Sequence, residues 1–317
     1  MQGVHTYRYG GRTIDSSWEL PGLETESSLA RDSAPAEGRI VLQKFVVDRA
    51  APRELQLGWP GRFGLTLFAS GERWIFALCT GAEFWVDRTG GVIGCDPGTA
   101  GWSEATAEGF VRRVLPRVVQ MGDCVVLHAV AMRSPAGAVL LCGKSGAGKS
   151  TLGAGLHETL GWDILADDMS VLRPMSDRIL LFPTGCGASL WQDAKTAFPD
   201  SRAQAERIEI YGTKYRWRPA AGLRSDPVPL VSIYHLDRKP PPMNETITIA
   251  ETDVRFRLNH LMRAAIRFNP ADRTLEHVQF PVWLRVAREV PMWELRFDSR
   301  FDLLPEVAMR LAAQVVK

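Results

Sequence analysis

The stretch 138–151, AVLLCGKSGAGKST, restricts the possible folds of this chain more than any other. A short apolar run enters Gly143-Lys144-Ser145-Gly146-Ala147-Gly148-Lys149-Ser150, which satisfies the eight-position phosphate-binding pattern in full, and Thr151 follows it. Strand, glycine loop and helix are therefore predicted in succession. Glycines let the backbone close around phosphate oxygens, and the start of the helix offers unpaired N–H donors and a favourable dipole. In this pattern Lys149 reaches the β- and γ-phosphates, and the Ser150 hydroxyl takes the Mg²⁺ that bridges them. The loop specifies a nucleotide; it does not specify a reaction.

Two neighbouring segments could supply chemistry. Residues 162–166 read as the next strand, with Asp167-Asp168 at its end. Ligands of open α/β sheets collect beyond the carboxyl ends of strands, so one acid can serve Mg²⁺ and the other can take a proton from an attacking hydroxyl. Upstream, 124–132 reads as one apolar β-run interrupted by His128. If 134–137 form a hairpin turn, Arg133 faces Ala138 and His128 falls opposite Gly143, beside the loop mouth. A slip of one residue would turn that side chain to the other face.

The remainder divides into a β-rich N-terminal unit, 1–120, and a nucleotide-binding unit, 121–317. Residues 1–35 read as a polar, irregular arm with turns at Gly10-Gly11 and Pro21-Gly22. Short β-runs at 40–47, 63–69, 74–79 and 83–86 follow, with a hairpin signal at 87–91. Residues 103–120 read as helical, capped by Ser103 or Thr106 and disturbed at Pro116. Beyond the acids, 170–180 continue into a turn at 181–187 that can lie near the site, and 191–205 read as helical on either side of Pro199. The basic and aromatic segment 207–218 makes Lys214, Arg216 and Arg218 candidate phosphate or acceptor contacts, with a half-buried strand as the alternative. Then come a strand at 230–236, a polar loop at 237–244, an extended segment at 245–254 and a helix at 258–268. Segments 278–286 and 291–297 read as the last strands, and 304–316 as a closing helix. His5, His157, His235, His260 and His277 have no metal-site spacing and read as structural.

Thirty-eight Lys and Arg stand against 36 Asp and Glu, a formal charge of +2, which gives no argument for a nucleic-acid or membrane surface. There is no secretion-signal pattern and no run long enough to span a bilayer, so a cytoplasmic protein is expected. The five cysteines are widely separated and read as reduced thiols.

Leu127-His128-Ala129, the loop Gly143 to Ser150, and Leu165-Ala166-Asp167-Asp168, in this order, resemble the catalytic core of the HPr serine kinase/phosphorylase family. In particular they resemble its relatives that tailor peptides, lasso peptides included. The resemblance is strongest over 118–173. It implies an α/β fold, a phosphate-loop kinase core of the HPr kinase and phosphoenolpyruvate carboxykinase type with a mixed sheet. It also implies ATP- and Mg²⁺-dependent transfer to a serine-type hydroxyl of a peptide or protein. By that resemblance His128 is the catalytic histidine, Lys149 the phosphate-loop lysine and Ser150 the metal-binding hydroxyl. Asp167 is the proton acceptor paired with the histidine, and Asp168 supports the metal end. The family's second motif, a Glu-Ile-Arg-Gly-Leu-Gly segment, has no convincing counterpart; Glu209-Ile210-Tyr211-Gly212 lacks its arginine. A small-molecule hydroxyl kinase, a nucleotide-hydrolysing switch and a non-catalytic nucleotide-binding regulator are the other readings. A homo-oligomer is compatible with each.

Overall fold

A computed structural model of the chain describes residues 4–25, 38–46, 48–60, 64–199, 201–220, 223–242, 245–269 and 273–315. Parts of the expected N-terminal arm (26–35), Val47, Phe63 and the end of the 237–244 loop lie outside them. The architecture is mixed α/β with three sheets.

The first sheet has eight strands: β1 (His5–Tyr9), β2 (Arg12–Ser16), β3 (Gly38–Lys44), β4 (Glu54–Trp59), β5 (Leu65–Ser70), β6 (Arg73–Leu78), β7 (Glu83–Asp87) and β8 (Val92–Asp96). Their order is β1-β2-β3-β8-β7-β6-β5-β4. Residues 5–16 of the expected irregular arm are thus a hairpin. Tyr7, Tyr9 and Ile14 alternate with more polar neighbours and are buried, while Gly10 and Gly11 make the turn with positive φ.

Across this sheet lies one interrupted helix: α1 (Glu104–Gly109), a π-helical turn (Phe110–Val114) and α2 (Leu115–Val119). Ser103 caps it by accepting the Thr106 N–H at 3.2 Å. Pro116 explains the interruption. It has no N–H for the carbonyl of Arg112, and its ring would clash with that carbonyl in a regular helix. The turn widens instead, and the Leu115 N–H bonds back to the Phe110 carbonyl.

The second sheet has nine strands: β9 (Val125–Leu127), β10 (Val130–Ser134), β11 (Gly137–Gly143), β12 (Asp163–Ala166), β13 (Ser170–Pro174), β14 (Ile179–Phe182), β18 (Val228–Leu236), β19 (Ile247–Glu251) and β20 (Met292–Phe297). At its centre β11, β18 and β20 run parallel and nearly every residue of β11 is buried. The third sheet is β15 (Ala188–Trp191), β16 (Gln204–Ile208) and β17 (Lys214–Arg218), with β17 in the middle. The helices of this half are α3 (Lys149–Leu160), α4 (Gln192–Thr196), α5 (Val254–Ala264), α6 (Arg273–Glu289) and α7 (Leu304–Val315). No described helix is long and apolar enough to cross a membrane.

Two expectations fail here. Residues 278–286 belong to α6, not to a strand. Trp283, Val286, Ala287 and Val290 are buried at helical spacing, while Val278 and Phe280 face outward. Residues 191–205 are only briefly helical, in α4, and end in β16.

α3 is seated by its small residues. A Cβ on Gly153 would stand 3.0 Å from Val130, and one on Gly155 would stand 3.3 Å from the Leu304 Cβ of α7. Each glycine weakens the helix by about 1 kcal/mol. The close approach offsets this by burying Leu152 and Leu156 with Leu304, Val307 and Leu311. The two halves of the chain also share a core: Tyr9, Ile14 and Phe110 pack in one cluster with Val126, Val171 and Phe182. The Gly10 N–H donates to the Pro183 carbonyl at 2.8 Å, and that of Glu24 to the Gly185 carbonyl at 3.0 Å. This junction fixes where the helix carrying Arg112 meets the second sheet.

Candidate functional site

The glycine loop leaves the carboxyl end of β11, beside the carboxyl end of its parallel neighbour β18, where Gly143 pairs with Leu236. Gly143, Gly146 and Gly148 all have positive φ. At Gly143 a Cβ would also meet the Leu236 carbonyl oxygen at 2.8 Å. Gly148 is the N-cap of α3; no side chain caps the helix and no acid stands in its first turn. The first-turn N–H groups are left for a ligand. Lys149 is 6 % exposed and folds back over the loop, its Nζ donating to the carbonyls of Gly143 at 3.0 Å and Lys144 at 3.2 Å. Burial lowers its pKa.

Asp167 lies at the centre. It is 3 % exposed, accepts the Ser150 hydroxyl on Oδ1 at 2.7 Å and accepts the Ser189 backbone N–H on Oδ2 at 2.7 Å. Strand β12 thus delivers a carboxylate to the first turn of α3, and β15 closes it from the other side. Asp168 adopts φ 67°, the one non-glycine with positive φ among the described residues. Such a conformation stores strain of order 1–3 kcal/mol and persists only where neighbours enforce it. Here the neighbour is Arg112, which is ion-paired to the Asp168 carboxylate.

Arg112 is the residue that sequence reasoning missed. From the π-helical turn it donates to Glu108 at 2.6 Å, to Asp168 and to the Ser189 hydroxyl at 2.8 Å. Glu108 is itself buried and also pairs with Arg216. Burial opposes ionisation of Glu108, yet the two guanidiniums hold its carboxyl below the usual range. The signal in the sequence was Pro116, which marks where the helix is distorted.

His128 is placed differently from the hairpin expectation. The pairing Arg133↔Ala138 holds, but β10 begins at Val130, opposite Leu141, and His128 sits in the bend between β9 and β10. The apolar run is two strands: β9 pairs with β13, and β10 with β11 and β12. The His128 N–H donates to the Ala264 carbonyl at 2.7 Å. Its imidazole makes no hydrogen bond to the described residues. Burial and then the nearby Lys149 charge push its pKa down to about 4, with Asp167 acting the other way. The ring is therefore neutral at physiological pH, and it shares one electrostatic neighbourhood with Lys149 and Asp167.

Of the three basic candidates on β17, Arg216 and Arg218 are committed to structure. Arg216 pairs with Glu108 and Glu206, and Arg218 with Glu24. Lys214 instead lies over the Trp191 and Tyr211 rings; burial and the Arg112 charge lower its pKa and Asp167 acts the other way. Of the histidines expected to be structural, His157 has its Nδ1 2.8 Å from the Trp162 carbonyl and His235 packs on His260, whereas His277 is exposed.

Next to the loop a cavity of about 240 Å³ is lined by Gly146, Thr151, Leu236, Arg238, Phe297 and Phe301. Its wall also includes Arg300 and the carboxylates of Asp193 and Asp237, so apolar rings and charges of both signs meet there. Among the described residues no three His, Cys, Asp or Glu side chains group together as a metal site. Ser150 can offer its oxygen lone pairs while its hydroxyl proton points to Asp167; Asp168 is occupied by Arg112.

The sequence matches no family model, and comparison with curated proteins finds no match. Among solved structures 36 chains match, including the HPr(Ser) kinase/phosphatase from Coxiella burnetii. That match has a TM-score of 0.32 and 11 % identity, over 60 % of this chain and 96 % of the other.

Proposed function

We propose that this chain is a phosphate-loop kinase of the HPr kinase-related type, which transfers the γ-phosphoryl group of ATP to a serine-type hydroxyl on a peptide or protein. The observation that carries the reading is the hydrogen bond from Ser150 to Asp167, beside a lysine that spans the loop mouth. A glycine loop alone would fit any nucleotide binder. A buried carboxylate joined to the loop's own hydroxyl, with a neutral imidazole nearby, suits proton removal from an alcohol.

In this proposal the loop N–H groups, the start of α3 and Lys149 hold the phosphates and neutralise charge on the transferring group. Bound Mg²⁺, held by Ser150 and the nucleotide, would supply further charge neutralisation on the phosphate oxygens. As the acceptor oxygen bonds to the γ-phosphorus and the bond to the leaving β-phosphate oxygen breaks, Asp167 takes the hydroxyl proton. A carboxylate has lone pairs to spare beyond the two bonds it accepts here. His128, which feels the Asp167 charge, would share in that role. The cavity at Phe297 and Phe301 would take the base.

The test is incubation with γ-labelled ATP, Mg²⁺ and a library of serine-containing peptides, with an acceptor-free control. Label recovered on a serine side chain is expected. Label released only as inorganic phosphate, at the same rate with or without acceptor, would replace the kinase with a hydrolase.

A further inference from the structure

Among the described residues Lys214 has no ion-pair partner. It opens β17, where it pairs in register with Trp191 of β15 and Ile208 of β16. Its ammonium lies 5.5 Å from the centre of the Trp191 ring and 5.2 Å from that of Tyr211. Among the described residues no carboxylate is in ion-pair reach of it. The acids that act on it from further away are already committed: Asp167 to Ser150 and Ser189, and Glu108 to Arg112 and Arg216. Lys149 and His128 both feel the Lys214 charge, as Lys214 feels that of Arg112. The aromatic faces hold the ammonium and compensate part of its lost hydration. Holding a half-buried lysine near other cations is otherwise unfavourable, and an arriving anion reverses the balance.

We propose that Lys214 is a second phosphate-binding cation, which contacts the terminal phosphoryl group of a bound nucleoside triphosphate and so separates triphosphate from diphosphate. This rests on the kinase reading above. The terminal group is selected by geometry: Lys214 shares the Tyr211 ring with Arg112, which lies 5.8 Å from its centre and pairs with Asp168, and Lys214 pairs in register with Trp191, two residues along β15 from Ser189, whose N–H holds Asp167. Arg112, already ion-paired twice, holds Asp168 and Ser189 in place and leaves Lys214 as the unspent charge.

Binding of MgADP and of a non-hydrolysable MgATP analogue to the full chain, measured by calorimetry, tests this. Lys214→Met keeps the apolar stem between the rings. It is expected to weaken the triphosphate analogue roughly 10- to 100-fold, the value of one charge-assisted hydrogen bond, while ADP affinity stays within about twofold. Lys149→Ala should weaken both ligands, and Lys214→Arg, which retains the charge, should keep most of the triphosphate preference. Should Lys214→Met not fold, Lys214→Gln provides the same comparison. Equal weakening of both ligands, or of neither, overturns the role of Lys214 while leaving the nucleotide site intact. Failure of the unaltered chain to bind either nucleotide overturns the reading beneath it.

Discussion

Arg112 and Asp168 are 56 residues apart in sequence, and their ion pair joins the interrupted helix of the N-terminal half to the turn that follows Asp167. The same guanidinium holds the Ser189 hydroxyl, while the Ser189 backbone N–H holds Asp167. The N-terminal half therefore takes part in shaping the acidic turn. Arg112→Met should lower the rate of transfer by on the order of 100-fold with little change in nucleotide affinity, because it loosens the geometry of the acids and not the phosphate grip. Arg112→Lys should not rescue it, since one ammonium cannot span Glu108, Asp168 and Ser189. Steady-state kinetics together with nucleotide titration check this; a pure affinity loss would place Arg112 on the phosphates instead.

Asp167→Asn should reduce transfer by about 100-fold or more, the usual contribution of a positioned base. Its carbonyl oxygen can still accept from Ser150 or Ser189, so the fold and much of the nucleotide affinity should survive. Normal turnover with saturating acceptor would show that another group takes the proton.

The parts of the site that could be read from the sequence were those whose geometry is local. The loop, Lys149, Ser150 and the two acids are separated by one helix and one strand, and β11, α3 and β12 fall where spacing put them. The division of labour between the acids was not legible, because it depends on Arg112, whose reach is set by a π-helical turn and a docked hairpin. His128 was misplaced by treating 124–132 as one strand, when a bend sends β9 to β13 and β10 to β11. In 278–286 the β-branched residues suggested a strand, and the burial of Trp283, Val286 and Ala287 on one helical face overrode that preference.

Backbone conformation at the loop can be probed with two glycines. Gly143→Ala combines φ 146° with a Cβ 2.8 Å from a backbone oxygen of the neighbouring strand. Neither partner can yield cheaply, so a loss of about 2–4 kcal/mol in stability is expected. Gly148→Ala, with φ 93° and open space around it, should cost about 1–2 kcal/mol from the dihedral alone. Denaturant unfolding of the two variants gives the comparison, and equal losses would show that the contact with Leu236 is unimportant.

The last prediction concerns pH. A histidine in the unfolded chain titrates at about 6.5, whereas burial and Lys149 push His128 down to about 4 in the fold. Between these values the unfolded state binds the extra proton, so stability is full above the unfolded value and falls as pH drops towards 4. For His128 this loss is on the order of 2 kcal/mol. His235, pushed down to about 4 by burial and its neighbour His260, acts in the same direction. Denaturant midpoints measured from pH 7 to pH 4 should therefore decline, and His128→Gln should flatten part of the slope. Bound nucleotide should add a second effect, because phosphate charge opposite Lys149 removes one cause of the depression. The His128 ring resonances in an NMR titration should then move with a higher pKa in the complex than in the free protein. An unchanged value would separate His128 from the phosphate end of the site.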